Sequence, residues 1–264
     1  MPTIVALGWP DRRGGIVTSA SPIYNFPFAF RANHLQVLLR AGLRVAFHIL
    51  ATLRVLGRDH LPRRGPYLLA VNHIAFLDAP FVFAMIGGAD SAGWAAEKYA
   101  RHPLYGPFLR LGGGIFIRRG QVDRGALSAA LDALARGKIF GVAPEGTRSP
   151  DGRLIRGRTG VAYLAYHAGV PVVPAAVTGT ERVGADLARL RRPVFTLVIG
   201  EPFRLPALDH EARPEDLRRG TDEVMARIAV LLPPAYRGVY EHHPRTQELL
   251  GKSAGPASGP SIST

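Results

Sequence analysis

The sequence predicts an α/β fold: a single domain with a mixed, mostly parallel central sheet flanked by helices, preceded by an amphipathic N-terminal membrane-surface helix. Three observations predict it. Short apolar runs of strand length alternate with helix-like stretches along the chain. The 264 residues are enough for one substantial core. No internal repeat and no break in composition divides the middle of the chain.

Residues 1–30 form an N-terminal extension, Gly/Pro-rich and carrying Asp11, Arg12 and Arg13, without the charged-then-apolar order of a secretory signal. Residues 31–56 read as a membrane-associating helix. Gln36, Arg40, Arg44 and His48 recur every four residues as one slowly drifting polar stripe. Leu35, Val37, Leu38, Leu39, Leu43, Val45, Phe47, Ile49 and Leu50 fill the broad remainder. A narrow cationic stripe beside a broad apolar face suits a helix lying among lipid headgroups. The alternative is a core helix whose polar face meets solvent. Its charges keep the zone from Leu35 to Leu56 from reading as a bilayer span.

Residues 57–235 read as the main domain. Tyr67 to Val71 is a strand, and a helix follows through Ala79 to Ile86, with Asp78 at its start and Pro80 tolerated in its first turn. Gly112, Gly113 and Gly114 lead into a short β-branched and aromatic strand that ends at Arg118 and Arg119. Ile139 to Ala143 is another strand. Val170 to Val177 is a buried strand whose Pro171 and Pro174 argue for an edge or an irregular start. Pro214 to Leu232 closes the domain as a helix, with Glu215, Asp216, Asp222 and Glu223 outward and Leu217, Val224, Ile228 and Leu231 inward. Residues 236–264 read as a largely disordered tail, Gly/Ser/Pro-rich from Gly251 onward.

Composition narrows the chemistry. There is no cysteine, which excludes disulfides, zinc-thiolate sites and a thiol nucleophile. The 33 Lys+Arg against 20 Asp+Glu give +13, which favours anionic partners such as phosphate groups or anionic lipid. Nucleic acid shares that charge preference, but no aromatic-studded RNA-binding strand and no zinc-finger spacing is present. His242-His243 beside Glu241 lacks a further ligand cluster, so no metal site is expected. No Gly-x-Ser-x-Gly elbow is present either, which leaves a covalent intermediate without an obvious nucleophile.

The run Asn72-His73-Ile74-Ala75-Phe76-Leu77-Asp78 carries the sharpest signal. A neutral imidazole takes a proton from an alcohol near pH 7, and a carboxylate on its other nitrogen fixes the tautomer. Five residues along a regular helix is roughly 140° of rotation, so the two side chains would point apart. They meet if His73 leaves the strand end and Asp78 opens the next helix. A second site, Val142-Ala143-Pro144-Glu145-Gly146-Thr147-Arg148, also follows a strand end, where open α/β sheets place ligands. Gly146 permits close backbone approach, Thr147 offers a hydroxyl, and Arg148 a planar fork for phosphate oxygens. Glu145 reads either as a substrate ligand or as a brace for Arg148.

An Asn-His-x-x-x-x-Asp block, then Gly-x-Ile-Phe-Ile-x-Arg, Glu-Gly-Thr-Arg and Val-Pro-Val-Val-Pro in that order resemble the glycerolipid acyltransferases, of which lysophosphatidic acid acyltransferases are the best known. The resemblance covers roughly Gly57 to Phe203. It implies a catalytic pair at His73 and Asp78, and phosphate-binding blocks at Arg118 and at Glu145, Gly146, Thr147 and Arg148. It further implies transfer of a fatty acyl group from acyl-CoA or acyl-carrier protein to the free hydroxyl of a lysophospholipid, most simply lysophosphatidic acid. No cofactor is expected beyond the thioester co-substrate. The expected location is the cytoplasmic face of the cell membrane, as a peripheral protein on anionic lipid. One departure is visible: Ile74 and Ala75 stand where relatives often carry polar residues, which leaves the acceptor subclass open. The competing expectations are another lyso-lipid or glycolipid acceptor, or a non-catalytic peripheral lipid-binding protein, which would not need His73 and Asp78.

Overall fold

The computed structural model describes residues 29–86, 90–118, 120 and 122–253. Most of the expected extension over 1–30 lies outside the described residues, as do Arg119 and the stretch beyond Ser253. Seven short apolar runs pair into one sheet: β1 (Thr52–Leu56), β2 (Tyr67–Val71), β3 (Ser91–Ala96), β4 (Gly114–Ile117), β5 (Ile139–Val142), β6 (Val172–Thr178) and β7 (Val194–Ile199). Their spatial order is β1-β7-β6-β2-β5-β3-β4. The five strands from β6 to β4 are parallel, whereas β7 runs antiparallel to β6 and β1 parallel to β7. The sheet is mixed and mostly parallel.

Alternation along each strand feeds two cores. From β2, Leu68 and Ala70 face one side, where they pack with residues of α4 (Arg124–Ala135), α5 (Gly160–Ala168) and α7 (Pro214–Leu231). Tyr67 and Leu69 face the other, towards α1 (Ala29–Leu50) and α2 (Asp78–Ile86). There Phe47, Phe81 and Phe195 meet edge to face with centroids 5.5–6.0 Å apart. Three further helices, α3 (Tyr105–Leu111), α6 (Val183–Ala188) and α8 (Pro244–Ser253), complete the fold.

Four sequence expectations need correction. The helix expected over 31–56 stops at Leu50, and Thr52 to Leu56 is instead an edge strand in register with β7. Its polar stripe also faces inward at Gln36, Arg40 and Arg44, while His48 is exposed. Gln36 and Arg40 are only 4% and 5% exposed. Arg40 Nε donates to Phe83 O at 3.0 Å and Arg44 Nε to Ala84 O at 2.6 Å, while Arg58 reaches Met85 O at 3.0 Å. These are the last carbonyls of α2, which lack partners within that helix and sit at the negative end of its dipole. The cations therefore cap a neighbouring helix, and Leu35, Val37, Leu38, Val45 and Ile49 are left exposed.

Second, β6 is not an edge but lies between β2 and β7, and only its start is irregular, where Val172 bridges Phe203 ahead of the β6–β7 ladder. Pro174 is tolerated because its carbonyl side faces the point where β7 ends: Gly200 N donates to Pro174 O, and the β6–β7 ladder begins only at Ala175↔Ile199. Third, Asp216 does not face solvent. It is 4% exposed and accepts from Arg213 N at the start of α7 and from Arg219. Fourth, the expected disorder over 236–264 does not hold for 236–253, where Tyr240 is buried and α8 packs against α7 through Arg245–Glu223.

Candidate active site

The parallel strands β2 and β5 end side by side, and the chain leaves each into a loop that carries one half of the site. Asn72, just past β2, is buried and spans to β6: its amide donates to Val177 O at 2.9 Å and accepts from Val177 N at 2.7 Å. That pair ties the start of the loop to the sheet. His73 follows with 15% of its side chain exposed, and α2 opens at Asp78.

The two meet as expected. His73 Nδ1 lies 3.0 Å from Asp78 Oδ2. The same oxygen accepts from Ile74 N at 2.6 Å and Ala75 N at 2.7 Å, and the other oxygen from the Thr180 hydroxyl. Asp78 is 1% exposed, so its charge is held by four donors in place of water. A carboxylate can only accept, so it fixes the proton on Nδ1 and leaves Nε2 as the basic nitrogen. The loop donors at 74 and 75 are backbone groups, and the Ile74 side chain is buried, so this turn does not depend on polar side chains there.

Glu145 turns inward from the end of β5. Its Oε1 accepts from His73 N at 2.8 Å and its Oε2 from Ile155 N at 3.2 Å. In place of Arg148, which the sequence offered as its partner, it braces the loop of His73 against the loop that follows β5. Ser149 N donates to His73 O at 2.8 Å, which places Arg148 one residue from the histidine backbone. Gly146 has φ +71°, and a Cβ there would lie 2.5 Å from Arg158 Cδ, so the glycine makes room for that arginine's stem. Thr147, Arg148 and Arg158 are exposed.

Arg118 leaves β4, three strands from β2, so the two strand ends are about 14 Å apart at ~4.8 Å per strand. It is exposed and 3.7 Å from Glu97. Thus His73, Asp78 and Glu145 form one hydrogen-bonded cluster, Arg148 borders it, and Arg118 lies across the same sheet edge.

A model of the family described as Acyltransferase matches residues 52–178, a span that contains both loops. Over those residues the chain is similar to the acyltransferase family. Within that family, a 1-acyl-sn-glycerol-3-phosphate acyltransferase of Limnanthes douglasii is 31% identical over 136 residues, covering 48% of this chain and 46% of the plant protein. A lyso-ornithine lipid O-acyltransferase of Rhizobium meliloti is 30% identical over 171 residues, covering 61% and 54%. The chain thus spans about half the length of these curated relatives. Among solved structures, the acyltransferase PlsC of Thermotoga maritima aligns with a TM-score of 0.58 at 28% identity, over 73% of this chain and 77% of that one.

Two parts of this site had no local sequence signal. Thr180 lies 102 residues from Asp78 and reaches it only because β6 runs beside β2. The segment from Tyr236 to Tyr240 straps the loop after β5: Leu154 N donates to Tyr236 O, Val239 N to Leu154 O, and Gly157 N to the Tyr240 hydroxyl.

Burial raises the Glu145 carboxyl from 4.5 to about 7, against the two backbone donors that favour its charge. The folded protein therefore holds a proton there that the unfolded chain has released. This group's contribution to stability is fullest below pH ~4.5 and is lost as pH rises through about 7, by at most about 3 kcal/mol. Glu145→Gln should flatten the pH dependence of the thermal midpoint between pH 5 and 8, whatever its absolute level. Equal slopes in the two proteins would contradict this role of burial.

Proposed function

We propose that the protein is an O-acyltransferase that moves a fatty acyl group from acyl-coenzyme A or acyl-carrier protein to the free hydroxyl of a lysophospholipid, converting lysophosphatidic acid to phosphatidic acid. The observation that carries this reading is the imidazole held by a buried carboxylate with four donors, inside the span matched by the family. His73 Nε2 takes the proton of the acceptor hydroxyl as its oxygen attacks the thioester carbonyl. The tetrahedral adduct expels the thiolate, which recovers that proton from the imidazolium. Ester and free thiol result, and no acyl-enzyme forms. General-base help of this kind contributes about 10²–10⁴-fold.

Arg148 and Arg158 are the cations placed to hold the acceptor phosphate, with Arg118 further along the edge. Holding it positions the hydroxyl near Nε2. The exposed apolar face of α1 is the surface we assign to the cytoplasmic leaflet, since a row of Leu, Val and Ile without a partner among the described residues suits an acyl layer. No helix among the described residues is long and apolar enough to cross a membrane.

The test is thiol release from palmitoyl-coenzyme A by purified protein with lysophosphatidic acid. Acceptor-dependent release is expected, and its absence with both thioester donors would overturn the reading. Arg148→Ala should raise KM for lysophosphatidic acid about 10–100-fold with kcat little changed, the worth of a charge-assisted hydrogen bond. The similarity to a lyso-ornithine lipid acyltransferase favours a second reading, an acceptor without phosphate. In that case the wild-type enzyme prefers lyso-ornithine lipid, and Arg148→Ala leaves its KM unchanged.

A further inference from the structure

The turn between α6 and β7 presents an apolar side chain at a backbone position where glycine is the usual choice. Leu190 has φ 55°, the single non-glycine residue in the left-handed region among those described. Leu190 N donates to Leu187 O and Arg191 N to Asp186 O, the paired bonds that end a helix with a left-handed residue. Leucine there is strained by its Cβ, and the strain gains no packing, because Leu190 is 97% exposed. Arg189 and Arg191 flank it, both exposed. From residue 181 to 194 the chain carries Arg182, Arg189, Arg191 and Arg192 against Glu181 and Asp186. Of these two acids, Glu181 is occupied by the Tyr236 hydroxyl and Gly179 N.

The location gives the turn a partner. Arg192 donates to His48 O and Ala51 O, joining the turn to the end of α1, where Ile49 is 76% exposed. Leu187 and Val194 are also exposed. Because β7 runs antiparallel to β6, it begins at the sheet edge where β6 ends, and Thr180 at that edge bonds Asp78. The wedge and the catalytic pair therefore share one end of the molecule.

We propose that the α6–β7 turn is a second membrane contact, which inserts Leu190 into the acyl layer of an anionic bilayer while Arg189 and Arg191 meet its lipid phosphates. This rests on the reading that the acceptor is a lipid. It adds that the bilayer is engaged beside the site as well as along α1. An exposed leucine ringed by cations matches an anionic interface in both its apolar and its charged part.

Sedimentation of the full chain with vesicles of phosphatidylcholine, alone or with about one third phosphatidylglycerol, tests it without turnover. Leu190→Gly relieves the backbone strain and removes the wedge. It should raise the Tm by roughly 2–4 °C while weakening binding to the mixed vesicles about tenfold. A purely structural leucine would give a lower Tm and unchanged binding, and wild-type binding by the variant overturns the proposal. Arg189→Ala with Arg191→Ala should weaken binding to the mixed vesicles by about tenfold and leave phosphatidylcholine binding unchanged. In Leu190→Trp, emission above that of the wild type should be quenched by brominated lipid, and an unquenched signal overturns insertion. Turnover of a short-chain, monomeric lysophosphatidic acid is expected to be the same in Leu190→Gly and wild type. Inactivity of both would count against the proposed reaction and leave the vesicle result standing.

Discussion

His73→Ala is expected to lower kcat by about 10²–10⁴-fold while the protein stays folded. Separation of activity from stability follows from how the residue is held. Its backbone N–H bonds Glu145 and its carbonyl bonds Ser149 N, so both loop anchors survive loss of the ring. Only the Nδ1 bond to Asp78 goes with the side chain, and Asp78 keeps three other donors. Thiol-release kinetics beside a thermal melt check this directly. Near-normal kcat in a variant that melts like the wild type would remove the histidine from the reaction.

Asp78→Asn is expected to cost kcat about 10⁴-fold, the size found when the buried carboxylate behind a histidine base is made neutral. The asparagine carbonyl can still accept from Ile74 N and Ala75 N, and its amide can donate to the Thr180 hydroxyl, which turns to accept. The loop is thus retained, and the imidazolium formed during turnover loses the charge opposite it. Asp78→Ala behaves differently. It leaves the Ile74 and Ala75 N–H groups, the His73 Nδ1–H and the Thr180 hydroxyl without their partner, at about 1–3 kcal/mol for each buried group, so it should unfold well below the wild-type midpoint. Melting curves and kcat for the pair separate the two roles, and a Asp78→Asn kcat within tenfold of wild type would show that the charge is unimportant.

The parts of this site legible in the sequence were those built by neighbours along the chain. A strand, a five-residue turn and a helix starting at its carboxylate brought His73 and Asp78 together as their spacing required. The parts that were not legible depend on what lies opposite in space. Periodicity in α1 gave the width of its two faces but not which face is inside. Two carbonyls at the end of α2 decided that, by needing Arg40 and Arg44. Pro174 argued for an edge because a local rule cannot see that the neighbouring strand stops beside it. Asp216 looked solvent-facing because its partners, Arg213 N and Arg219, are a cap and a helix neighbour rather than an apolar pattern. Thr180 carries no signal at all until the order of β6 and β2 is known.

The strap from Tyr236 to Tyr240 also sets a schedule. His73 and Asp78 lie in the first third of the chain, and their turn is complete once β2, β6 and α2 have met. The loop from 149 to 158 takes hydrogen bonds at Leu154 and Gly157 from residues more than eighty positions later. A single domain folds as a unit, so an ordered loop needs the chain through the strap. A chain that stops short of Tyr236 therefore holds the residues of the histidine–carboxylate pair without the bonds that order the loop from 149 to 158, and that loop is finished by nearly the last segment described.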